Sequence, residues 1–122
     1  MPIVLQPTTF KYKNSNGTFQ SASCISGQAI VRTITGATPT IVAEDNTRYM
    51  CGEVSTLNFT PCATGVCDVV FTSGSTATVL TLPTGANEIK WANGFDPDNL
   101  DANTVYELNV QDGIYGVACS WT

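Results

Sequence analysis

The chain has 122 residues, a length typical of one domain. Charged residues make up 12 % of it, about half of the roughly 25 % that is usual in globular domains, whereas hydrophobic residues reach 43 %. The formal net charge is −5 and the five basic residues are scattered along the sequence. This pattern argues against contacts with rows of phosphates, so we expect neither a nucleic acid nor a membrane as a partner.

The N-terminus and the cysteines bear on the compartment. Residues 1–7 hold no basic leader and no long apolar run, which predicts a protein that is made and is soluble in a cytoplasm. Five cysteines cannot all pair within one chain, and without an export signal we expect reduced thiols that pack as small hydrophobic side chains. A local disulfide between Cys62 and Cys67 is the alternative.

The sequence consists of short β-branched and aromatic runs separated by turn residues, with almost no helical periodicity. Segments 10–13 and 18–20 flank Asn16-Gly17, a pair that tolerates positive φ and predicts a first hairpin. Further short strands are expected over residues 28–34, 39–43, 54–60 and 89–91.

Two later segments have the pattern of strong hairpins. In residues 66–82, period-two alternation on both sides of Ser73-Gly74-Ser75 predicts two strands joined by a tight turn. Near the C-terminus, segments 106–110 and 115–121 alternate in the same way around Asp112-Gly113.

Eight or nine short strands with regularly spaced turns are typical of sandwiches and jelly rolls. We therefore predict an all-β fold: a single antiparallel β-sandwich or jelly-roll-like domain over residues 28–122, preceded by an N-terminal arm or hairpin over residues 1–27. The residues expected in the core or in a subunit interface are Phe59, Val69, Phe71, Leu80, Leu82, Trp91, Tyr106, Leu108, Val117 and Trp121.

One short pattern occurs twice. Asn46-Thr47-Arg48-Tyr49 returns as Asn103-Thr104-Val105-Tyr106, each time shortly after an acidic residue. The simplest interpretation is a shared loop-to-strand device in which Asn and Thr close the loop and Tyr buries its ring with its hydroxyl near the rim. A degenerate duplication is the alternative.

The residues offer little for catalysis. The chain has no histidine, which excludes Ser-His-acid triads, Cys-His dyads and histidine metal sites. The acidic residues mostly accompany turn residues, and the two that fall within predicted strands, Glu53 and Glu107, have no partner visible in the sequence. We therefore expect no catalytic residue, no cofactor and no metal site, and a protein that is not an enzyme.

The longest loop candidate runs from Ala92 to Asp101, with a single turn started by Pro97. Clustered loop carboxylates can hold calcium, but the spacing here fails the EF-hand pattern, so a polar loop with Asx turns is favoured. A second loop candidate is Pro61–Gly65. Exposed aromatic side chains near these loops could stack on sugars. The residues predicted to form a surface-binding loop are Asn93, Phe95, Asp96, Asp98 and Asp101.

Three C-terminal segments carry a family resemblance. Residues 79–83 with a Leu-Pro turn, residues 89–94 with Trp91, and residues 101–113, which contain Ala-Asn-Thr-Val-Tyr-Glu, resemble a terminal β-module of bacteriophage tail-fibre and head-fibre proteins, especially of phages of gut bacteria. Residues 10–19 resemble the opening of such fibres, which lies near the end attached to the particle. The long repeats and collagen-like tracts of many fibre proteins are absent from this sequence.

The resemblance implies a non-enzymatic structural component of a phage particle: a short tail or head fibre, or a decoration of the capsid surface. It also implies a homo-oligomer, with a trimer favoured, that contacts other virion proteins and reaches host surface glycans through its loops. The protein would be made in the host bacterial cytoplasm and reside in the virion. The alternative hypothesis is a monomeric carbohydrate-binding β-sandwich module.

Overall fold

The structure is a computed structural model that describes residues 11–13, 19–21 and 28–122. Its regular elements are strands and two short 3₁₀ turns, at Gly85–Asn87 and Ala92–Gly94. Within these residues no helix is long and apolar enough to cross a membrane. The strands are β1 (Lys11–Lys13), β2 (Phe19–Ser21), β3 (Ile30–Ile34), β4 (Thr40–Val42), β5 (Thr47–Glu53), β6 (Thr56–Thr60), β7 (Val66–Ser73), β8 (Val79–Thr81), β9 (Lys90–Trp91), β10 (Thr104–Gln111) and β11 (Tyr115–Trp121).

Residues 30–81 form coils that alternate between two parallel arrays. Strands β3, β5 and β7 are parallel neighbours in a six-stranded sheet, and β4, β6 and β8 are parallel neighbours in a three-stranded sheet. Each turn of the chain therefore places one strand in the larger sheet and the next in the smaller one. This arrangement gives three stacked coils, β3–β4, β5–β6 and β7–β8.

The larger sheet continues beyond the coils with a hairpin. Strand β10 pairs antiparallel with both β7 and β11, and the short β9 runs parallel to β11 at the edge. The prediction of an all-β fold is confirmed, but the prediction of an antiparallel domain is wrong because the sheets are mixed. A period-two pattern identifies strands without fixing their direction, since side chains alternate in the same way in parallel and antiparallel pairs.

The hairpin expected over residues 66–82 does not form. Strand β8 pairs with β6 in the smaller sheet, whereas β7 stays in the larger one. Thr78 lies where the chain passes from the larger sheet to the smaller one. Its N–H donates to Ser73 Oγ at 2.9 Å, and its hydroxyl donates to the carbonyl of Val54 at 2.6 Å. These contacts hold the segment after Ser73 against the end of β5, so the chain moves to the other sheet.

The other two predicted hairpins are confirmed. In the first, β1 and β2 are antiparallel with Tyr12 opposite Gln20, although the predicted Asn16-Gly17 turn lies outside the described residues. In the second, Asp112 and Gly113 have φ values of 54° and 78°, and the Ile114 N–H donates to the Gln111 carbonyl at 3.2 Å. Positive φ at both central positions is typical of a type I′ turn.

The core lies between the two sheets. Of the residues predicted for the core or an interface, those that are buried are Phe59, Val69, Phe71, Tyr106 and Leu108. Leu80, Leu82 and Trp91 are partly buried and pack against this core. Val117 and Trp121 are half-buried, and the alternation along β11 places them on the face opposite to the buried Ala118.

The cysteines differ in state. Cys51, Cys62 and Cys67 are free, so the expectation of reduced thiols is confirmed for them and the alternative Cys62–Cys67 disulfide is not formed. Cys119 is disulfide-bonded, so the expectation is wrong there. Cys24 lies outside the described residues. Burial raises the pKa of the Cys51 thiol to about 11, as expected for a thiol that packs as a hydrophobic side chain.

The repeated Asn-Thr-x-Tyr pattern forms the same structure twice. Asn46 and Asn103 both have positive φ, 63° and 54°. The hydroxyl of the next residue donates to the carbonyl before the Asn: Thr47 to Asp45 at 3.1 Å, and Thr104 to Ala102 at 2.9 Å.

The tyrosine of each copy closes the loop. The Tyr49 hydroxyl accepts a hydrogen bond from the N–H of Glu44 at 2.8 Å, and the Tyr106 hydroxyl accepts one from the N–H of Asp101 at 2.7 Å. Both rings are buried. The predicted loop-to-strand device is therefore confirmed, and each copy fixes the start of a strand in the larger sheet.

The two tyrosine hydroxyls should contribute similarly to stability. We expect Tyr49→Phe and Tyr106→Phe each to lower the free energy of unfolding by about 1–2 kcal/mol, because each leaves a loop N–H without its acceptor. Tyr115, which is 55 % exposed, is the matched control, and Tyr115→Phe should change stability by less than about 0.5 kcal/mol. Urea denaturation measures all three; an equal effect at Tyr115 would contradict the device.

Candidate functional site

The larger sheet contains a buried ionic cluster. Arg48 on β5 and Asp68 on β7 are register partners, with Arg48 Nε 3.1 Å from Asp68 Oδ1 and Arg48 Nη2 3.1 Å from Asp68 Oδ2. Arg48 Nη2 also donates to Glu107 Oε2 on β10 at 2.8 Å. The three side chains are 8 %, 0 % and 1 % exposed.

Burial changes the protonation of Glu107. Loss of hydration, followed by its hydrogen bond and charge interaction with Asp68, raises the pKa of Glu107 to about 10, although Arg48 opposes this shift. Glu107 is therefore protonated at neutral pH. The pKa of Arg48 is also raised, because the partner carboxyls outweigh its desolvation.

Glu107, for which the sequence shows no partner, contacts Arg48 in this cluster. Period-two alternation separates these three residues from the inward Tyr49, Val69 and Leu108, so they occupy the opposite face of the sheet. Carboxyl groups with almost no solvent exposure cannot contact a dissolved substrate in this conformation. The arrangement ties three neighbouring strands together, because the Arg48 guanidinium on β5 donates to the carboxyls of Asp68 on β7 and Glu107 on β10.

An open cleft of about 630 Å³ lies where the smaller sheet meets the loop after β9. One wall is the end of β8 and the segment that follows it, from Leu80 to Thr84, with Glu88 beside it. The other wall is formed by Trp91 and residues 95–98. This volume falls within the range of small-molecule sites.

The aromatic wall of the cleft is connected to the core. The Trp91 and Phe95 rings meet edge to face at 4.8 Å, Phe95 packs on Tyr106 at 6.1 Å, and Tyr106 stacks on Phe71 at 5.6 Å. Trp91 also lies directly over Gly116, where an added Cβ would come within 2.6 Å of the indole ring. The absence of a side chain at Gly116 thus leaves room for the indole against β11, and the edge-to-face contact with Phe95 supports it.

The acidic side of the cleft is a turn. Asp96 Oδ1 accepts from the Asp98 N–H at 3.0 Å and Oδ2 accepts from Asn99 Nδ2 at 2.7 Å, which lowers the pKa of Asp96. The Asn99 N–H donates to the Asp96 carbonyl, so the predicted turn at Pro97 and its Asx bonding are present. In the part of the chain that the structure describes, no three Cys, Asp or Glu side chains converge as metal ligands.

The structure gathers three of the five predicted loop residues at this cleft: Phe95, Asp96 and Asp98. Asp101 is exposed but does not line the cleft, and its N–H bonds Tyr106 instead. Asn93 lies in a 3₁₀ turn, and its side chain is outside the described residues.

Sequence reasoning missed the opposite wall of the cleft, which is formed by Leu82, Thr84 and Glu88. The Leu82-Pro83 pair was a visible turn signal. Nothing in the sequence, however, placed that turn beside the loop at Asp96.

A second cleft, of about 590 Å³, adjoins the first. It shares Thr81, Leu82 and Pro83 with the first cleft and continues to the final hairpin. Pro61 and Ala63, from the second predicted loop, also line it. The remaining lining residues are Asn58, Phe59, Thr60, Asn87, Asp112, Gly113 and Ile114.

Comparison of the chain with models of protein families, with curated proteins and with solved structures gave no match. The function proposed below is therefore built on the geometry of the chain and on the resemblance of its C-terminal segments.

Proposed function

We propose that this chain is a non-enzymatic structural component of a bacteriophage particle, either a short tail or head fibre or a decoration of the capsid surface. In this role it forms a homo-oligomer, most simply a trimer, that joins other virion proteins and resides in the virion. Its loops contact glycans on the host surface. The two sheets and the core between them form the β-sandwich of such a module.

The observation that carries this proposal is the set of three edge strands that the stacked coils have within the described residues. Strands β3 and β4 of the first coil and β8 of the last coil are sheet edges. They expose large apolar side chains: Val31 is 60 %, Val42 71 % and Val79 60 % exposed. Edge strands with exposed hydrophobic residues tend to pair with other chains, and subunit interfaces of homo-oligomers are rich in such residues.

Oligomeric state tests the subunit part of this proposal. Size-exclusion chromatography with light scattering at micromolar concentration should give three times the mass of one chain. The double variant Val31→Lys/Val42→Lys should shift the protein to monomers, because it places charges in the interface. Gln111→Lys, at an exposed position away from these edges, is the control and should leave the trimer intact. A wild-type chain that is strictly monomeric would contradict the proposal.

A monomeric carbohydrate-binding module is the second candidate, and the aromatic cleft favours it. Trp91 and Phe95 present ring surface beside polar groups, a combination that suits the apolar face of a sugar. A glycan array separates the two candidates when it is read together with the mass. Glycan binding by a monomer supports the second candidate, and a trimer supports the first.

A further inference from the structure

The two clefts adjoin each other. Thr81, Leu82 and Pro83 line both of them, so the segment at the end of β8 is a ridge shared by the two clefts. Leu82 and Pro83 are half-buried, and Leu82 packs against the core. A ligand that occupies both clefts must therefore pass over this apolar ridge.

The clefts differ in chemistry. The first supplies aromatic surface from Trp91 and Phe95, together with the carboxylates of Glu88, Asp96 and Asp98. The second supplies amide and hydroxyl groups from Asn58, Asn87 and Thr60, and apolar surface from Pro61 and Ile114. One cleft is suited to stacking and the other to hydrogen bonding.

Charge restricts the ligand further. None of the described residues that line either cleft is basic, and acidic residues are present in both. An anionic ligand would meet like charge without a cation to pair with. Neutral hydroxyl-rich ligands meet acceptors, amide donors and aromatic faces.

From these observations we propose that the two clefts form one groove that binds a neutral oligosaccharide of several units, with one sugar against Trp91 and the chain crossing Pro83 toward Asn87. This inference deepens the glycan-contacting part of the proposed function and rests on it. Occupation of both clefts makes binding depend on chain length, because each added sugar contacts surface that a single sugar does not reach.

The test uses calorimetric titration of the full-length chain with the neutral N-acetylglucosamine and glucose series, monomer to hexamer, and with oligogalacturonate as the anionic series. We expect the better neutral series to gain about tenfold or more in affinity from monomer to hexamer, and the anionic series to bind more weakly at every length.

Two variants that block one cleft each show which part of the oligosaccharide binds in which cleft. Thr84 lines only the first cleft and Asn87 only the second, and both are exposed. Thr84→Trp should weaken both the monomer and the hexamer, whereas Asn87→Trp should weaken the hexamer by about tenfold and leave the monomer unchanged. Thr35→Trp, exposed and outside both clefts, is the control for added aromatic surface.

Three results would overturn the inference: no binding of either neutral series at millimolar concentration, affinity that is independent of length, or stronger binding of oligogalacturonate. Light scattering on the same samples keeps this outcome separate from the structural role. A trimer that binds no glycan rejects the groove alone, whereas a monomer that shows the length dependence rejects the fibre and keeps the groove.

Discussion

Replacement of Arg48 by methionine should destabilise the protein by about 3–5 kcal/mol, measured by chemical denaturation at pH 7. Methionine keeps an unbranched side chain in the sheet but removes the positive charge that lies 3.1 Å from Asp68 and 2.8 Å from Glu107. A carboxylate that stays buried without its counter-charge has lost its hydration, and no other interaction compensates for that loss. This single change should therefore remove a large part of the stability of a small domain.

The chain contains its own control for this experiment. Arg32 forms an ion pair with Glu44 at 3.8 Å, but both side chains are more than half exposed, at 55 % and 69 %. Arg32→Met should therefore cost less than about 1 kcal/mol. The double variant Arg48→Met/Asp68→Asn should recover part of the loss, because it removes the second charge as well. Equal effects of the two arginine substitutions would contradict the structural role of the buried cluster.

Stability should also fall as the pH rises from about 5 to 9. The folded protein holds a proton on Glu107, whose pKa is raised to about 10, whereas the unfolded chain releases that proton near the ordinary value of 4.5. Between these values the folded state binds the extra proton, so the free energy of unfolding decreases with pH. The slope approaches about 1.4 kcal/mol per pH unit where one full proton is involved. The chain has no histidine, so few other groups titrate between pH 5 and 8. Near pH 9 the Cys51 thiol of the unfolded chain also releases its proton and adds to the same downward trend.

Glu107→Gln isolates this effect. Glutamine keeps the shape and the donor of the protonated acid but cannot ionise, so the stability of the variant should be nearly independent of pH between about 5 and 8. Urea denaturation at pH 5, 7 and 9 compares the two proteins. The free energy of unfolding of the variant, relative to that of the wild type, should increase as the pH rises. Parallel curves for the two proteins would show that Glu107 is ionised in the folded state, contrary to our assignment.

Local signals in the sequence predicted local structure well. Asp112-Gly113 predicted the final turn because few residues adopt positive φ readily, and the structure shows it at both positions. The two Asn-Thr-x-Tyr copies predicted their own loop closure because the hydroxyls of Thr and Tyr find their partners within five residues. In such cases both partners of the hydrogen bond lie in one short segment of the sequence.

Partners far apart in sequence were not predictable in this way. The alternation in residues 66–73 and 78–82 identified β7 and β8, but strand pairing depends on loop connections and shared core surfaces that alternation does not encode. The sequence around Glu107 did not indicate its contact with Arg48, which lies 59 residues away. That contact exists only because β5, β7 and β10 are neighbours in the sheet. The same holds for the first cleft. The sequence identified the loop at Asp96, but it did not identify Leu82 as the opposite wall because the two are far apart in sequence.

Mass spectrometry of purified particles tests the structural role most directly. If the chain is the proposed virion component, particles of the phage that would encode it should contain it after density-gradient purification, in a copy number that is a multiple of three. A chain that is abundant in infected cells and absent from the purified particles would contradict the account.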